Sequence, residues 1–265
     1  MPIVRKSPIL AHPFEVRELN PGQCVRFYSD FFNKGDFVES ATAAAAGVAP
    51  TIVYASGTVP GVYDSKTAGN VNLITVATGT ASTSCQAGAQ VSITDRSDRS
   101  ANAALRGGVA EMDISARVKY TRNASALSVA RVGFFNDTTT TDDIPQGLCF
   151  KCFNADTWSV AVYSGDYNGS SGYKFVKDTG IDIATFHTLE VWVNALGTEA
   201  WFMIDDNVVH RQTNDVPNIN STQKTATATN GFQAGIGIMC TGTQVAASTL
   251  VCDWMRYRFF PNRRA

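Results

Sequence analysis

The feature that most constrains the fold is a run of hydrophobic residues at every second position between Phe186 and His210. In 186–194 the apolar side chains alternate with polar or aromatic ones, and 200–204 repeats the alternation. The second run ends at Asp205-Asp206-Asn207, which signals a tight turn. A period of two places neighbouring side chains on opposite faces of a strand. The segment therefore predicts half-buried strands, a hairpin and antiparallel β-structure.

Length and composition favour one large β domain. The chain has 265 residues, 44% of them hydrophobic, with 15 Phe, 8 Tyr and 4 Trp. That supply of apolar side chains is ample for a sizeable core, and single β-sandwiches commonly reach roughly 200–250 residues. We expect one sandwich with an added terminal arm.

Charge and hydropathy exclude several classes of protein. A formal net charge of −1 gives no overall electrostatic reason to bind nucleic acid or anionic lipid. No apolar run approaches the roughly 18 residues of a membrane span, and prolines and charges interrupt any signal-peptide core near the start. We expect a protein that folds in a cytosol, with no nucleic acid and no membrane as partner. The cluster Arg256, Arg258, Arg263 and Arg264 is expected to be a solvated edge or a tail that contacts a partner.

The longest alternation covers residues 109–120. Its even-numbered residues are apolar and predict the buried face of a strand. From residue 111 onward its odd-numbered residues are polar. We expect these to form a solvated face, on which Arg117 and Lys119 balance the charges of Glu111 and Asp113.

The remaining patterns predict many short strands and one arm. Residues 1–28 contain four prolines and no sustained periodicity, which predicts an extended N-terminal arm that docks on a neighbour. Residues 29–265 are predicted to form a single domain, although the sequence leaves open whether 30–108 belong to the same sandwich. More than eight strands at this spacing predict two packed sheets, an all-β antiparallel jelly-roll sandwich. Further strands are predicted at 51–54, 71–76, 90–93, 127–135, 148–153, 158–163, 173–176, 232–239 and 250–259.

Four segments together resemble the concanavalin A-like lectin/glucanase superfamily. Residues 111–118 resemble its sheet-entering strand, and 186–191 resemble its WH-x-hydrophobic-x-hydrophobic strand with Phe in place of Trp. Residues 202–209 resemble F-x-I-D-G-x-x-V, and 250–257 resemble the closing strand with its Asp-aromatic pair. The resemblance extends from residue 109 to the end of the chain. It implies a jelly roll of two curved antiparallel sheets.

The superfamily includes lectins, glucanases, laminin-type modules and bacteriophage virion proteins. Asp30-Phe31-Phe32 after a proline-bearing arm, with no visible secretion signal, is most similar to the virion proteins. The resemblance therefore implies a virion structural protein, as capsid decoration or as a fibre or tail component, assembled in the host cytoplasm. Its expected partners are the major capsid or other virion proteins, further copies of itself in a homo-oligomer, and host surface glycans.

The motif for hydrolysis is incomplete. Glucanases of this superfamily carry E-x-D-x-(x)-E on one strand, and a retaining glycosidase needs two carboxyl groups roughly 5–5.5 Å apart. Here Glu111-x-Asp113 is followed by Ser115 and Ala116, so the second glutamate is missing. We therefore expect no hydrolysis by that mechanism and a protein that is not an enzyme. A carbohydrate-binding, lectin-like module and a glycoside hydrolase are the alternatives.

The lectin alternative has its own candidate residues. Aromatic side chains around the polar loop 164–172 suit stacking on sugar rings. The competing interpretation, which we prefer, places the tryptophan in the core and the tyrosines at a rim or interface. The candidates are Trp158, Tyr163, Tyr167 and Tyr173.

No cofactor is expected, with a structural Ca²⁺ as the one alternative. The oxygen-rich loop 136–143 contains Asp137, Asp142 and Asp143, and calcium takes six to eight oxygen ligands. The loop lacks the spacing of a known calcium loop, so a solvated loop is the competing interpretation. Cys149 and Cys152 have CxxC spacing, but residues three apart on a strand face opposite sides. We expect reduced, partly buried thiols there.

Overall fold

The chain forms two stacked β-sheets. A computed structural model describes residues 25–29, 38–40, 51–55, 71–74, 84–90, 109–122, 128–135, 144, 146–164, 173–194, 198–217, 233–240 and 248–261. These residues contain fifteen strands and no helix. The strands are β1 Val25–Ser29, β2 Val38–Ser40, β3 Thr51–Ala55, β4 Val71–Ile74, β5 Ser84–Gln90, β6 Val109–Thr121, β7 Ser128–Phe135, β8 Gln146–Phe153, β9 Thr157–Ser164, β10 Tyr173–Asp182, β11 His187–Val193, β12 Ala200–Ile204, β13 Asn207–Gln212, β14 Gln233–Cys240 and β15 Thr249–Pro261.

The topology confirms the predicted jelly roll. The first sheet has seven strands in the order β1-β15-β6-β11-β12-β13, with β4 also paired to β15. The second has eight strands in the order β10-β9-β8-β7-β14-β5-β3-β2. All pairs are antiparallel except β2 with β3. Among the described residues, no helix is long and apolar enough to cross a membrane.

The core lies between the sheets and follows the predicted alternation. Each even-numbered residue of β6 from Met112 to Tyr120 belongs to one buried hydrophobic cluster. Facing side chains of the two sheets meet there: the rings of Phe150 on β8 and Phe202 on β12 pack edge to face, with centroids 5.6 Å apart. The side chains on the inner face of the seven-stranded sheet therefore pack against the second sheet.

The predicted hairpin is present. Strands β12 and β13 are joined by Asp205 and Asp206, with φ angles of 49° and 64°. Two consecutive positive φ angles are the mark of the type I′ turn, whose twist matches that of the flanking strands. Aspartate tolerates this region better than most residues because its short side chain forms local hydrogen bonds.

The N-terminal half differs from the expectation in two places. Residues 25–28, assigned to the arm, form most of β1, which pairs with the closing strand β15. Strand β5 covers Ser84–Gln90, and of the strand predicted at 90–93 only Gln90 lies within the described residues. Strands β2, β3 and β5 extend the eight-stranded sheet, and β4 joins the seven-stranded sheet. Residues 1–24 lie outside the described part of the chain, so the arm stays a prediction.

The CxxC cysteines face opposite sides of the second sheet. Cys152 belongs to the main core between the sheets, and Cys149 belongs to a separate buried cluster with Phe135 and Tyr163. Both side chains are buried, and neither cysteine forms a disulfide. Burial raises the pKa of Cys152 to about 11, so this thiol is a poor nucleophile at neutral pH.

Candidate functional site

The outer face of the seven-stranded sheet contains a buried polar cluster. Glu111, Asp113, Ser115, Glu190 and Arg258 each have 7% or less of their surface exposed. The expectation of a solvated face on β6 is therefore wrong for its first three polar residues. Ionisable side chains are rarely buried unless they are paired or have a function. We refer to these five residues as the polar cluster.

Strand register brings the cluster together. Asp113 on β6 lies between Arg258 on β15 and Trp192 on β11, and Trp192 in turn lies opposite Trp201 on β12. One row further along, Ser115 lies between Arg256 and Glu190. Directly opposed residues share a face, with Cβ atoms about 4.5–5.5 Å apart. The two rows therefore form one continuous polar surface across β15, β6 and β11.

Asp113 is held in a buried ion pair. Arg258 donates from Nε to Asp113 Oδ2 at 2.6 Å, and its Nη2 contacts the same oxygen. The expectation of a solvated edge is therefore wrong for Arg258, which is 3% exposed. Nη2 of Arg256 lies 3.7 Å from Oε2 of Glu190. Arg263 and Arg264 lie outside the described residues.

Burial sets the protonation of Asp113. Removal from water raises the pKa of Asp113 from about 3.8 to about 6, against the opposing effect of the Arg258 guanidinium. The negative charge of Glu190 acts in the same direction as burial. Glu190 and Asp113 are thus electrostatically coupled, although they lie on different strands.

Glu111 is oriented by an aromatic neighbour. The indole N–H of Trp192 donates to Glu111 Oε1 at 3.2 Å within the buried region. Trp192 also packs edge to face against Trp201, with ring centroids 5.7 Å apart. Trp201 also contacts a cation, because the Arg211 guanidinium lies 5.4 Å from its ring centroid. This packing holds Trp192, and with it the Glu111 carboxylate, in one orientation.

Two polar atoms in the cluster are buried without a hydrogen-bond partner among the described residues. They are Oδ1 of Asp113 and the hydroxyl Oγ of Ser115. An unsatisfied buried polar atom costs about 1–3 kcal/mol, so such atoms in a native fold call for a water or a ligand to bind them. Both atoms lie on the same face of β6, two residues apart.

The cluster opens toward solvent at the β1 edge. The side chain of Glu190 is 9% exposed, that of Arg256 is 32% exposed, and Tyr28 is 59% exposed. Tyr28 lies opposite Arg256 on β1, and its ring is 6.3 Å from that of Trp254 on β15. An exposed tyrosine and a partly buried tryptophan therefore border the buried carboxyl groups, and aromatic rings open to solvent suit stacking on sugars.

The aromatic residues proposed for sugar binding from sequence lie elsewhere. Trp158 is fully buried in the main core, and Tyr163 is 3% exposed in the smaller cluster on the second sheet. Neither ring is open to a ligand in this structure. Tyr167 and the side chain of Tyr173 lie outside the described residues, so their role stays a prediction.

The calcium hypothesis stays a prediction for the same reason. Asp137, Asp142 and Asp143 lie outside the described part of the chain. Within that part, no group of three or more His, Cys, Asp or Glu side chains is arranged to hold a metal ion.

Comparisons with known proteins identify the fold. No protein-family model matches the chain, and no curated protein matches it in sequence. An endo-1,3-beta-glucanase from Streptomyces sioyaensis has 12% identity and a TM-score of 0.53, with 91% of this chain and 98% of the glucanase covered. A protein of unknown function from Shewanella oneidensis MR-1 has 12% identity and a TM-score of 0.51 over 96% of each chain. An endo-acting O-glycanase of human gut bacteria, described as initiating mucin breakdown, has 10% identity and a TM-score of 0.50, with 89% of this chain and 99% of the glycanase covered.

At these identities the similarity establishes the fold: the chain is a concanavalin A-like jelly roll. The comparisons also contradict the expectation that the protein is not an enzyme, because the structural neighbours include several glycoside hydrolases. The neighbours named here give no support to a virion role. The same fold is compatible with carbohydrate binding.

Sequence reasoning missed the partners of Glu111 and Asp113. A local signal existed for the arginines, because Arg256 and Arg258 are two residues apart and must share a face of their strand. A local signal also existed for Glu190, which occupies the polar side of 186–194. The missing information was the register that places Glu190 beside Ser115.

Proposed function

We propose that the protein hydrolyses glycosidic bonds on the outer face of its seven-stranded sheet. The observation that carries the proposal is the burial of Glu111 and Asp113, in the order E-x-D, at the centre of that face. Burial of two carboxyl groups costs folding free energy, and glycoside hydrolysis is chemistry that needs such groups close together in a water-poor site. A fold that other proteins use for hydrolysis supports the same conclusion.

In this proposal Glu111 is the nucleophile. Its Oε1 accepts the Trp192 indole hydrogen bond, which orients the carboxylate. Asp113 is a positioning residue, fixed by Arg258, and its unsatisfied Oδ1 is available to accept a hydrogen bond from a bound sugar or water. Tyr28 and Trp254 contribute a stacking surface for sugar rings at the β1 edge.

The proposed substrate class is a polysaccharide with β-linked glucose, with mucin-type glycan as the second candidate. Both follow from the names of structural neighbours, an endo-1,3-beta-glucanase and an endo-acting O-glycanase. We favour the glucan because the match to the glucanase has the higher TM-score. The chemistry proposed for the polar cluster is the same for either substrate.

A hydrolysis assay tests the proposal. The purified protein is incubated with laminarin, barley β-glucan and mucin, and released reducing ends are measured. We expect release from at least one substrate, and a loss of about 10³-fold or more in the Glu111→Gln variant, since it removes the nucleophile. The matched control is Asp156→Asn, a carboxyl-to-amide change at a side chain that is 87% exposed in the turn between β8 and β9. Wild-type protein without activity on all three substrates, or a Glu111→Gln variant with unchanged activity, would contradict the proposal.

We propose separately that the protein is part of a virion. The expected capsid partners, the homo-oligomer and the host glycans rest on the sequence resemblance alone. A virion protein that cleaves host glycans would need both the polar cluster and an assembly contact. Light scattering of the protein with and without particles from its source measures the second requirement directly.

A further inference from the structure

The incomplete motif on β6 raises the question of where a second carboxyl group comes from. If hydrolysis occurs as proposed above, Glu111 needs a partner that protonates the leaving group. The same-strand position for that partner is Ser115, whose hydroxyl can neither supply nor remove a proton at neutral pH as a carboxyl group does.

The neighbouring strand supplies a carboxyl group at the same position along the sheet. Glu190 on β11 is the residue directly opposite Ser115. Neighbouring strands are about 4.8 Å apart, so the Glu190 carboxyl lies within one strand spacing of where a glutamate at position 115 would project. Trp192, which binds Glu111, follows Glu190 by two residues and shares its face.

The environment of Glu190 suits a group that meets substrate. Its side chain is 9% exposed, and it lies on β11 beside Ser115, where its Oε2 is 3.7 Å from Nη2 of Arg256. Ser115 Oγ beside it is buried without a hydrogen-bond partner among the described residues. A small residue with an unsatisfied hydroxyl leaves room and a polar contact next to the Glu190 carboxyl, as a bound sugar hydroxyl or water would require.

We infer that Glu190 on β11 is the acid/base residue, in place of the glutamate that is missing at Ser115 on β6. The inference rests on the proposed function and adds the residue that completes it. The two carboxyl groups then come from adjacent strands. Because residue 115 is a serine, no further glutamate crowds the Glu190 carboxyl group opposite it.

The chemistry balances with water as the only co-reactant. The Glu111 carboxylate attacks the anomeric carbon while the glycosidic C–O bond breaks, and the leaving oxygen takes the proton of Glu190. A water molecule then attacks the same carbon, gives its proton to the Glu190 carboxylate and releases Glu111. One glycoside and one water yield two hydroxyl-bearing products, and both glutamates return to their starting states.

The test compares substrates that need an acid with substrates that do not. A 2,4-dinitrophenyl glycoside has a leaving group that departs without protonation, whereas the sugar leaving group of laminarin needs a proton. We expect Glu190→Gln to lower kcat on laminarin by about 10²- to 10⁴-fold, with a much smaller loss in the cleavage of the aryl glycoside. In Glu190→Ala, added azide should accelerate aryl glycoside turnover by replacing the missing base and water, and should yield the glycosyl azide.

A strand-swap variant provides a second measurement. The double variant Ser115→Glu with Glu190→Gln returns the carboxyl group to β6, and we expect it to recover at least 10-fold of the activity lost in Glu190→Gln. The matched control is Asp156→Asn, and thermal unfolding of each variant reports whether it is folded.

Each outcome separates the two proposals. Wild-type protein that cleaves no substrate would refute the proposed function and, with it, this role of Glu190. Wild-type activity that persists in Glu190→Gln would refute the role of Glu190 alone. An equal loss on both substrates, with no azide effect, would also refute an acid/base role, since a structural defect does not discriminate between leaving groups.

Discussion

Individual carboxyl groups in this protein illustrate two opposite effects of folding on protonation. Asp113 is buried, and its pKa is raised to about 6. Asp205 is only half buried. Its partial burial alone would raise its pKa, but hydrogen bonds from His187 and Thr188 outweigh that effect, so the pKa is lowered. The direction of each shift sets the direction in which pH changes stability.

The raised pKa of Asp113 predicts that the folded protein loses stability as the pH rises. Because its pKa is raised on folding, the folded protein holds the Asp113 proton more tightly than the unfolded chain does. This stabilisation is complete below about pH 4 and is lost as pH rises through about 6. We expect Asp113→Asn to lose less free energy of unfolding than the wild type between pH 4 and pH 7, as measured by urea denaturation. Parallel pH profiles for the two proteins would contradict the raised pKa.

Elements are joined at the β12–β13 turn by a network of side-chain hydrogen bonds. His187 Nδ1 lies 2.7 Å from Asp205 Oδ2, and the Thr188 backbone N–H donates to Asp205 Oδ1 at 2.8 Å. On its other side, His187 Nε2 contacts the hydroxyl of Thr185 at 2.8 Å. The network ties the start of β11 to the hairpin and therefore helps to fix the strand that carries Glu190.

Asp205→Asn should weaken this connection. The substitution keeps the shape and tolerates the positive φ, but removes the charge that the His187 and Thr188 hydrogen bonds favour. We expect a loss of about 1 kcal/mol of unfolding free energy at pH 7, because the side chain is half exposed and solvent screens the interaction. The loss should shrink as pH falls through the lowered pKa of Asp205, where the wild type also loses the charge. Asp206→Asn, in the same turn, is the control; an equal loss there would contradict the assignment.

At the scale of the whole molecule, the two faces of the seven-stranded sheet have different tasks. The inner face packs against the second sheet, and the outer face carries the polar cluster. With strands about 4.8 Å apart, the five steps from β1 to β13 make this face about 24 Å wide, enough for a bound chain of several sugars. The exposed Tyr28 and the partly buried Trp254 border the cluster on the β1 side, and Trp201 borders it on β12.

The fold was largely predictable from the sequence, because a two-residue period is a local signal. The period located β6, the β12–β13 hairpin and the inward face of each. It could not show that Glu111 and Asp113 are buried on the other face, because their burial depends on packing contributed by distant parts of the chain. It also could not place Glu190 beside Ser115, because strand register between β6 and β11 depends on the assembled sheet.

The measurement that most directly tests the account is the identity of the residue that forms a covalent bond to substrate. A 2-deoxy-2-fluoro glycoside with a dinitrophenyl leaving group, built on the sugar released in the hydrolysis assay, slows the second step and lets the glycosyl-enzyme accumulate. Proteolysis and mass spectrometry then locate the label. We predict labelling of Glu111 with loss of activity. A label on another residue, or turnover of the natural substrate with no labelled peptide, would contradict the central claim.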